Sequence, residues 1–185
     1  MLSVDIGGVS MMFETSPNLF SPSAPDRGTL AMLGSADLAG QRKVLDLGCG
    51  WGLAGVYAAK LIGAHNVFMS DVCEEAVEIS RRNIVLNDAE GITVVHSDAF
   101  DEIHESGFTL IMSNPPYHAD FSVAKRFIEK GFNRLEVNGT FMMVTKRRDW
   151  YKNKLISVFG GVRIAEADNY YVFSAQKRSK NYANK

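Results

Sequence analysis

Residues 2–14 alternate loosely between apolar and polar, with Val4, Ile6, Val9, Met11 and Phe13 arranged around Gly7-Gly8. This period belongs to a β-hairpin or edge ribbon. Residues 15–28 break the pattern, hold three of the five prolines and predict a loop; Leu19 and Phe20 lie in its middle and should pack down. Thr29–Leu38 places Leu30, Leu33 and Leu38 on one side of a helix. From Lys43 onward, short apolar runs alternate with helical stripes. The runs predict strands at 43–47, 66–70, 92–96, 108–112 and 140–145, with Gly139 as the break before the last. The stripes predict helices at 52–62, 74–87, 121–136 and about 148–158. Two final strands, near 162–166 and 170–176, are separated only by Ala167-Asp168-Asn169 and must be antiparallel. Repeated strand–helix units predict an α/β fold: a mostly parallel sheet covered by helices on both faces, with an antiparallel hairpin at its edge.

Composition narrows this picture without redirecting it. The 185 residues suffice for one domain with a substantial core, so 1–185 reads as a single unit with an N-terminal covering segment (1–40) and a core (41–185). The formal net charge is −1, so any nucleic-acid contact has to use a local patch. Cys49 and Cys73 lie in different elements and read as free thiols in a reducing compartment. No apolar run approaches the roughly twenty residues of a membrane span and no leader pattern opens the chain, which makes the cytoplasm the expected location. His65, His96, His104 and His118 have no metal-ligand spacing, and no metal is expected.

The candidate chemistry gathers at the ends of the predicted parallel strands. The run at 43–47 ends in Gly48, Gly50 and Gly52, a turn that lets a ligand approach bare backbone. Asp46 stands at the mouth of that strand, where a carboxylate suits a cationic or hydroxyl-bearing ligand better than a pyrophosphate. Gly50, Gly52 and Gly55 also satisfy G-x-G-x-x-G, with Asp71 about twenty residues on, so a dinucleotide-binding or non-catalytic nucleotide module stays open on the glycines alone. Asp46, Asp71 and Asp98 fall one per strand end, the side on which such sheets bind ligands. Asn114-Pro115-Pro116-Tyr117 follows the fourth predicted strand directly. The diproline stiffens the segment and removes two N–H donors. The Asn114 carbonyl and a carbonyl of the Pro115-Pro116 pair are then suited to accept both hydrogens of a planar amine, and Tyr117 offers a face for a stacked ring. An exocyclic amine on a heteroaromatic ring is a weak nucleophile, because its lone pair is delocalised; two acceptors favour a more tetrahedral nitrogen and aim it at an electrophilic carbon.

Asp46-Leu47-Gly48-Cys49-Gly50-Trp51-Gly52, Asp71, Asp98-Ala99 and Asn114-Pro115-Pro116-Tyr117 together resemble the class I S-adenosylmethionine-dependent methyltransferases. More narrowly, the chain resembles the methyltransferase small family, which includes bacterial guanine-N2 methyltransferases of 16S ribosomal RNA. The resemblance implies a Rossmann-like fold with a seven-stranded sheet and a short N-terminal β-hairpin, without the extra N-terminal domain of the two-domain ribosomal enzymes. It implies S-adenosylmethionine as cofactor and S-adenosylhomocysteine as product, with Gly48, Gly50 and Gly52 near the methionine part and Asp46 near its amino group. Asp71 would take the ribose hydroxyls and Asp98-Ala99 the adenine. Phe20-Ser21 and Asp26-Arg27-Gly28-Thr29 resemble a loop closing over the cofactor. Asn114, Pro115, Pro116 and Tyr117 would hold the target amine, with His118 lining the same pocket. Lys146, Arg147 and Arg148, joined by Lys152, Lys154, Lys177, Arg178 and Lys180 and interleaved with Trp150 and Tyr151, read either as an RNA-backbone patch or as a solvated helix face with a charged tail. The expected activity is methylation of guanine N2 in ribosomal RNA; the same Asn-Pro-Pro-Tyr also fits adenine N6 or the side-chain amide of a protein glutamine.

Overall fold

The computed structural model describes residues 1–116 and 120–183. Strands β1 (Leu2–Ile6) and β2 (Val9–Phe13) form the expected hairpin, closed by the two glycines at φ 58° and 82°. Helix α1 (Arg27–Ser35) starts earlier than its apolar stripe, because Asp26 caps it by accepting from the Thr29 N–H at 2.9 Å. The alternating units follow as β3 (Val44–Leu47), α2 (Leu53–Ile62), a single 3-10 turn (Ala64–Asn66), β4 (Val67–Asp71), α3 (Glu74–Leu86) and β5 (Thr93–His96). The chain continues as β6 (Phe108–Ser113), α4 (Phe121–Arg134), β7 (Leu135–Thr145), α5 (Asp149–Phe159), β8 (Arg163–Ala167) and β9 (Tyr170–Gln176).

Seven strands make one sheet in the order β5-β4-β3-β6-β7-β9-β8. All neighbours from β5 to β7 are parallel, and β9 is antiparallel to both β7 and β8. Asp168 and Asn169 close the last hairpin with positive φ. Side chains alternate across the sheet. Val44, Leu110, Met112 and Val144 pack on one face with α1, α2, α3 and the N-terminal hairpin, while Leu45, Leu47, Ile111 and Phe141 pack on the other with α4 and α5. Burial on both faces explains why β3 and β6 are almost wholly apolar. The chain order reverses at β3, which lies between β4 and β6, so the carboxyl ends of β3 and β6 flank the crevice where such sheets bind ligands.

The hairpin is fastened through α3. Asn83, fully buried, accepts from the Glu14 N–H at 2.7 Å and donates to the carbonyls of Glu14 and Trp51; Asn87 accepts from Met12 N–H and donates to Met12 O. Two carboxamides thereby pair the outer edge of β2 as a neighbouring strand would. At the far end, Gly139 does not break the chain before a strand, as its sequence position predicts. β7 begins at Leu135 and carries an irregularity in which Phe108 opposes Leu135 while Leu110 opposes Thr140. The extra residues are tied to the chain after β9: Asn138 N–H donates to Lys177 O, and Lys177 N–H donates to Gly139 O. Among the described residues no helix is long and apolar enough to cross a membrane.

Candidate active site

The turn after β3 is held by its neighbours on every side. The N–H groups of Gly48 and Cys49 donate to Ser70 O at 2.8 and 2.9 Å, and that of Gly50 donates to Asp71 Oδ2 at 2.9 Å. Ser80 Oγ donates to Gly50 O, and Asn83 holds Trp51 O. Gly48, Gly50 and Gly52 have φ of 76°, 55° and 93°, which their lack of a Cβ permits. At Gly50 an added Cβ would meet nothing within 4 Å, so this peptide is open to an incoming ligand. With three N–H groups already spent on protein acceptors and a carboxylate beneath them, the turn is poorly furnished for a pyrophosphate.

Asp46 lies under the turn, 4% exposed, and accepts from Gly55 N–H at 2.9 Å. Burial pushes its pKa up to about 7, the Gly55 hydrogen bond opposes that, and the nearby Asp71 charge adds to it. Burial likewise raises the Cys49 thiol, which packs against Ser80 Oγ at 3.6 Å. Asp71 uses its second oxygen to accept from Cys73 N–H at 2.9 Å, and each of its oxygens keeps acceptor capacity beyond these bonds. The Asp98 carboxylate faces outward to Arg126 at 2.6 Å; Ala99, buried with φ 54°, forms the wall beside it.

These residues line one cavity of about 400 Å³, within the usual range for a small-molecule site. Phe20, Ser21, Thr29, Asp46, Gly48, Gly50, Asp71, Asp98, Ala99, Asn114, Pro115 and Pro116 all border it, so most of the predicted site converges. Gly52 does not border it and instead starts α2. Tyr117 and His118 lie outside the described residues. Val72, unremarked in the sequence, also borders the cavity although 63% exposed; the available signal was its place directly after Asp71. Phe127 of α4 supplies a further apolar wall.

Asn114 has the most telling environment. Its Nδ2 donates to Asp26 Oδ2 at 2.8 Å and to Thr29 Oγ1 at 3.0 Å, while its Oδ1 is buried and has no hydrogen-bond partner among the described residues. An unpartnered buried acceptor is costly and calls for a donor from a ligand. Thr29, expected at the cofactor, thus lies against Asn114 within the same cavity. The role of Asp26 could not be read from its segment alone.

The basic cluster only partly fits the expected surface. Lys146, Arg147 and Arg148 are exposed beyond the end of β7 and do not border the cavity. The Arg147 guanidinium lies over the Phe121 ring, on which Trp150 stacks at 4.4 Å, and Lys146 lies over Tyr170. Tyr151 is buried in the core, Lys154 pairs with Glu129, and Lys177 turns inward to donate to Leu135 O at 2.7 Å over the Phe132 ring. Burial lowers the Lys177 pKa. Tyr151 and Lys177 therefore serve packing, not a nucleic-acid face. Among the described residues no group of three or more His, Cys, Asp and Glu side chains is placed to hold a metal ion.

Known proteins are similar to this chain in sequence and in fold. A ribosomal RNA small subunit methyltransferase C of Actinobacillus pleuropneumoniae serotype 7 is 36% identical over 167 residues, covering 86% of this chain and 50% of that protein. Its namesake in Cronobacter sakazakii is 33% identical over 174 residues, covering 89% and 49%. The chain thus spans about half the length of the curated relatives it matches. The solved 16S rRNA N2 methyltransferase (RsmC) of T. thermophilus, in complex with AdoMet and guanosine, superposes with a TM-score of 0.86 at 26% identity, over 96% of this chain and 50% of that one. The methyltransferase small domain matches residues 10–174, a span holding the glycine turn, the strand-end acids and the Asn-Pro-Pro turn, and the chain belongs to that family.

Proposed function

We propose that this chain transfers a methyl group from S-adenosylmethionine to an exocyclic amine, the N2 of a guanine in small-subunit ribosomal RNA. The observation that carries the reading is Asn114: its amide nitrogen is fixed by Asp26 and Thr29, and its buried carbonyl oxygen, beside the glycine turn, has no donor among the described residues. The likeness to RsmC, a structure that contains AdoMet and guanosine, favours guanine as the base. The cavity fits the cofactor, with bare backbone at Gly50 and the carboxyl groups of Asp46 and Asp71 on its wall.

In this reading Asp71 would receive the ribose hydroxyls and Asp46 the amino group of the methionine part. When bound, the cofactor supplies a methyl group on a sulfonium. Asn114 Oδ1 would accept one hydrogen of the target amine and so direct the nitrogen lone pair, while the rigid Pro115-Pro116 segment limits its freedom to turn away. A base held this way must leave its stack, which suits an unpaired or splayed guanine.

The test offers methyl-labelled cofactor to small ribosomal subunits, free 16S RNA, DNA and total protein, followed by digestion of the RNA to nucleosides. Label is expected in N2-methylguanosine. Label confined to N6-methyladenosine or to protein glutamine would overturn the choice of substrate.

A further inference from the structure

We propose that Asp26 is a positioning residue for Asn114: it fixes which end of the Asn114 carboxamide faces the reacting amine. The inference rests on the reading that Asn114 holds that amine. A carboxamide can rotate end for end, and only one of the two orientations presents an acceptor. Among the described residues, two groups accept from Asn114 Nδ2. Thr29 Oγ1, at 3.0 Å, is a hydroxyl that can accept from an NH2 or donate to a carbonyl, so alone it tolerates either orientation. Asp26 Oδ2, at 2.8 Å, can only accept when ionised, and it therefore excludes the orientation that would turn Oδ1 toward it.

Asp26 is itself built into place. Its Oδ2 also accepts from Thr29 N–H at 2.9 Å, and its Oδ1 accepts from the Tyr170 hydroxyl at 3.1 Å. The three elements meet closely. A Cβ on Gly28 would come within 2.6 Å of the Tyr170 ring and 2.9 Å of Asp26 Oδ2, so the α1 start and the β9 start approach this far because residue 28 has no side chain. The partners come from positions 88 and 144 residues away in sequence, so the cluster exists only in the folded chain.

The experiment compares Asp26→Ser, Tyr170→Phe, Asn114→Ala and the double variant Asp26→Ser/Asn114→Ala in single-turnover methyl transfer to small ribosomal subunits. Serine keeps a helix-capping oxygen for Thr29 N–H and lacks the reach to Asn114. Asp26→Ser is expected to slow the chemical step about 10–100-fold, as when a partner that orients a metal-ligating side chain is removed, with the KM for cofactor nearly unchanged. Tyr170→Phe should lose less, in the same direction. Because Asp26 acts through Asn114, the double variant should be no slower than Asn114→Ala alone. A substrate-independent readout is the Asn114 side-chain amide in NMR: its NH2 protons should exchange slowly in the wild type and faster in Asp26→Ser. Additive losses in the double variant, or wild-type turnover in Asp26→Ser, would overturn the proposal while leaving the amine-holding role intact. Wild-type turnover in Asn114→Ala would overturn both.

Discussion

A carboxyl group buried at the end of a parallel strand meets two opposed demands at Asp46. The apolar surroundings favour its neutral form, whereas the Gly55 N–H and any cationic ligand favour its charge. In the unfolded chain the group releases its proton near the ordinary value of 3.8, and in the folded chain only near 7, so between these pH values the folded state binds the more protons. Its contribution to stability is therefore complete below the lower value, declines as pH rises toward 7 and is lost above it. Asp46→Asn should remove that decline. The unfolding free energy of the wild type relative to Asp46→Asn is expected to fall by on the order of 4 kcal/mol between pH 4 and pH 8, at about 1.4 kcal/mol per tenfold, and denaturant titrations at several pH values measure it. A parallel course for the two proteins would mean that Asp46 is already ionised in the fold. The same residue shows what a local pattern conveys: an acid at the end of an apolar run, just before alternating glycines, announces its own position. Asn114 also announces its position through the diproline behind it, but not which way its amide faces, because that is decided by Asp26 from 88 residues away.

At the scale of elements, the repeated strand–helix units were legible because each is specified by its own short run of apolar residues and its own turn. The polar ties between elements were not. Asn83 reads in sequence as one position in a helical stripe, and only the fold shows it pairing with Glu14, 69 residues away. Lys177 reads as part of a charged tail, yet its amine holds Leu135 O, 42 residues away, and steadies the irregular start of β7 that Gly139 alone suggested was a break. A long-range hydrogen bond leaves no periodicity in the sequence, since neither partner constrains its immediate neighbours. The Asn83 tie has a measurable weight. Asn83→Leu keeps the forked shape of the side chain but leaves the N–H and C=O of Glu14 and the C=O of Trp51 without their partner. At roughly 1 kcal/mol for each hydrogen bond lost, the variant should lose about 3 kcal/mol. For a domain of this size that corresponds to a melting temperature lower by about 6–12 °C. Calorimetry checks the loss, and limited proteolysis should find the first cuts between β2 and α1. An unchanged melting temperature would show that the hairpin holds to α3 by its apolar face alone.

Across the whole molecule, charge has to be used locally, because the net charge of −1 provides no overall attraction for a polyanion. Most of the basic side chains near the site already have internal tasks. Arg126 and Lys130 serve Asp98 and Asp101, Lys154 serves Glu129, and Lys177 is buried. Arg147 and Arg148 remain exposed where β7 passes into α5, beyond the carboxyl end of the sheet and next to the Phe121–Trp150 stack. If these two meet the RNA backbone, each releases counterions when it binds, and removing both should make affinity less salt-dependent as well as weaker. Arg147→Ala/Arg148→Ala is expected to raise the KM for the RNA substrate several-fold, to lower the slope of log affinity against log salt by about 2, and to leave cofactor affinity and the single-turnover rate at saturating RNA unchanged. Arg42→Ala is the matched control: Arg42 is exposed and ion-paired with Glu136 just before β3, at the end of the sheet away from the cavity, and its loss should change neither the slope nor the KM. An unchanged salt slope in the double variant would assign Arg147 and Arg148 to a solvated helix start and speak against their meeting RNA.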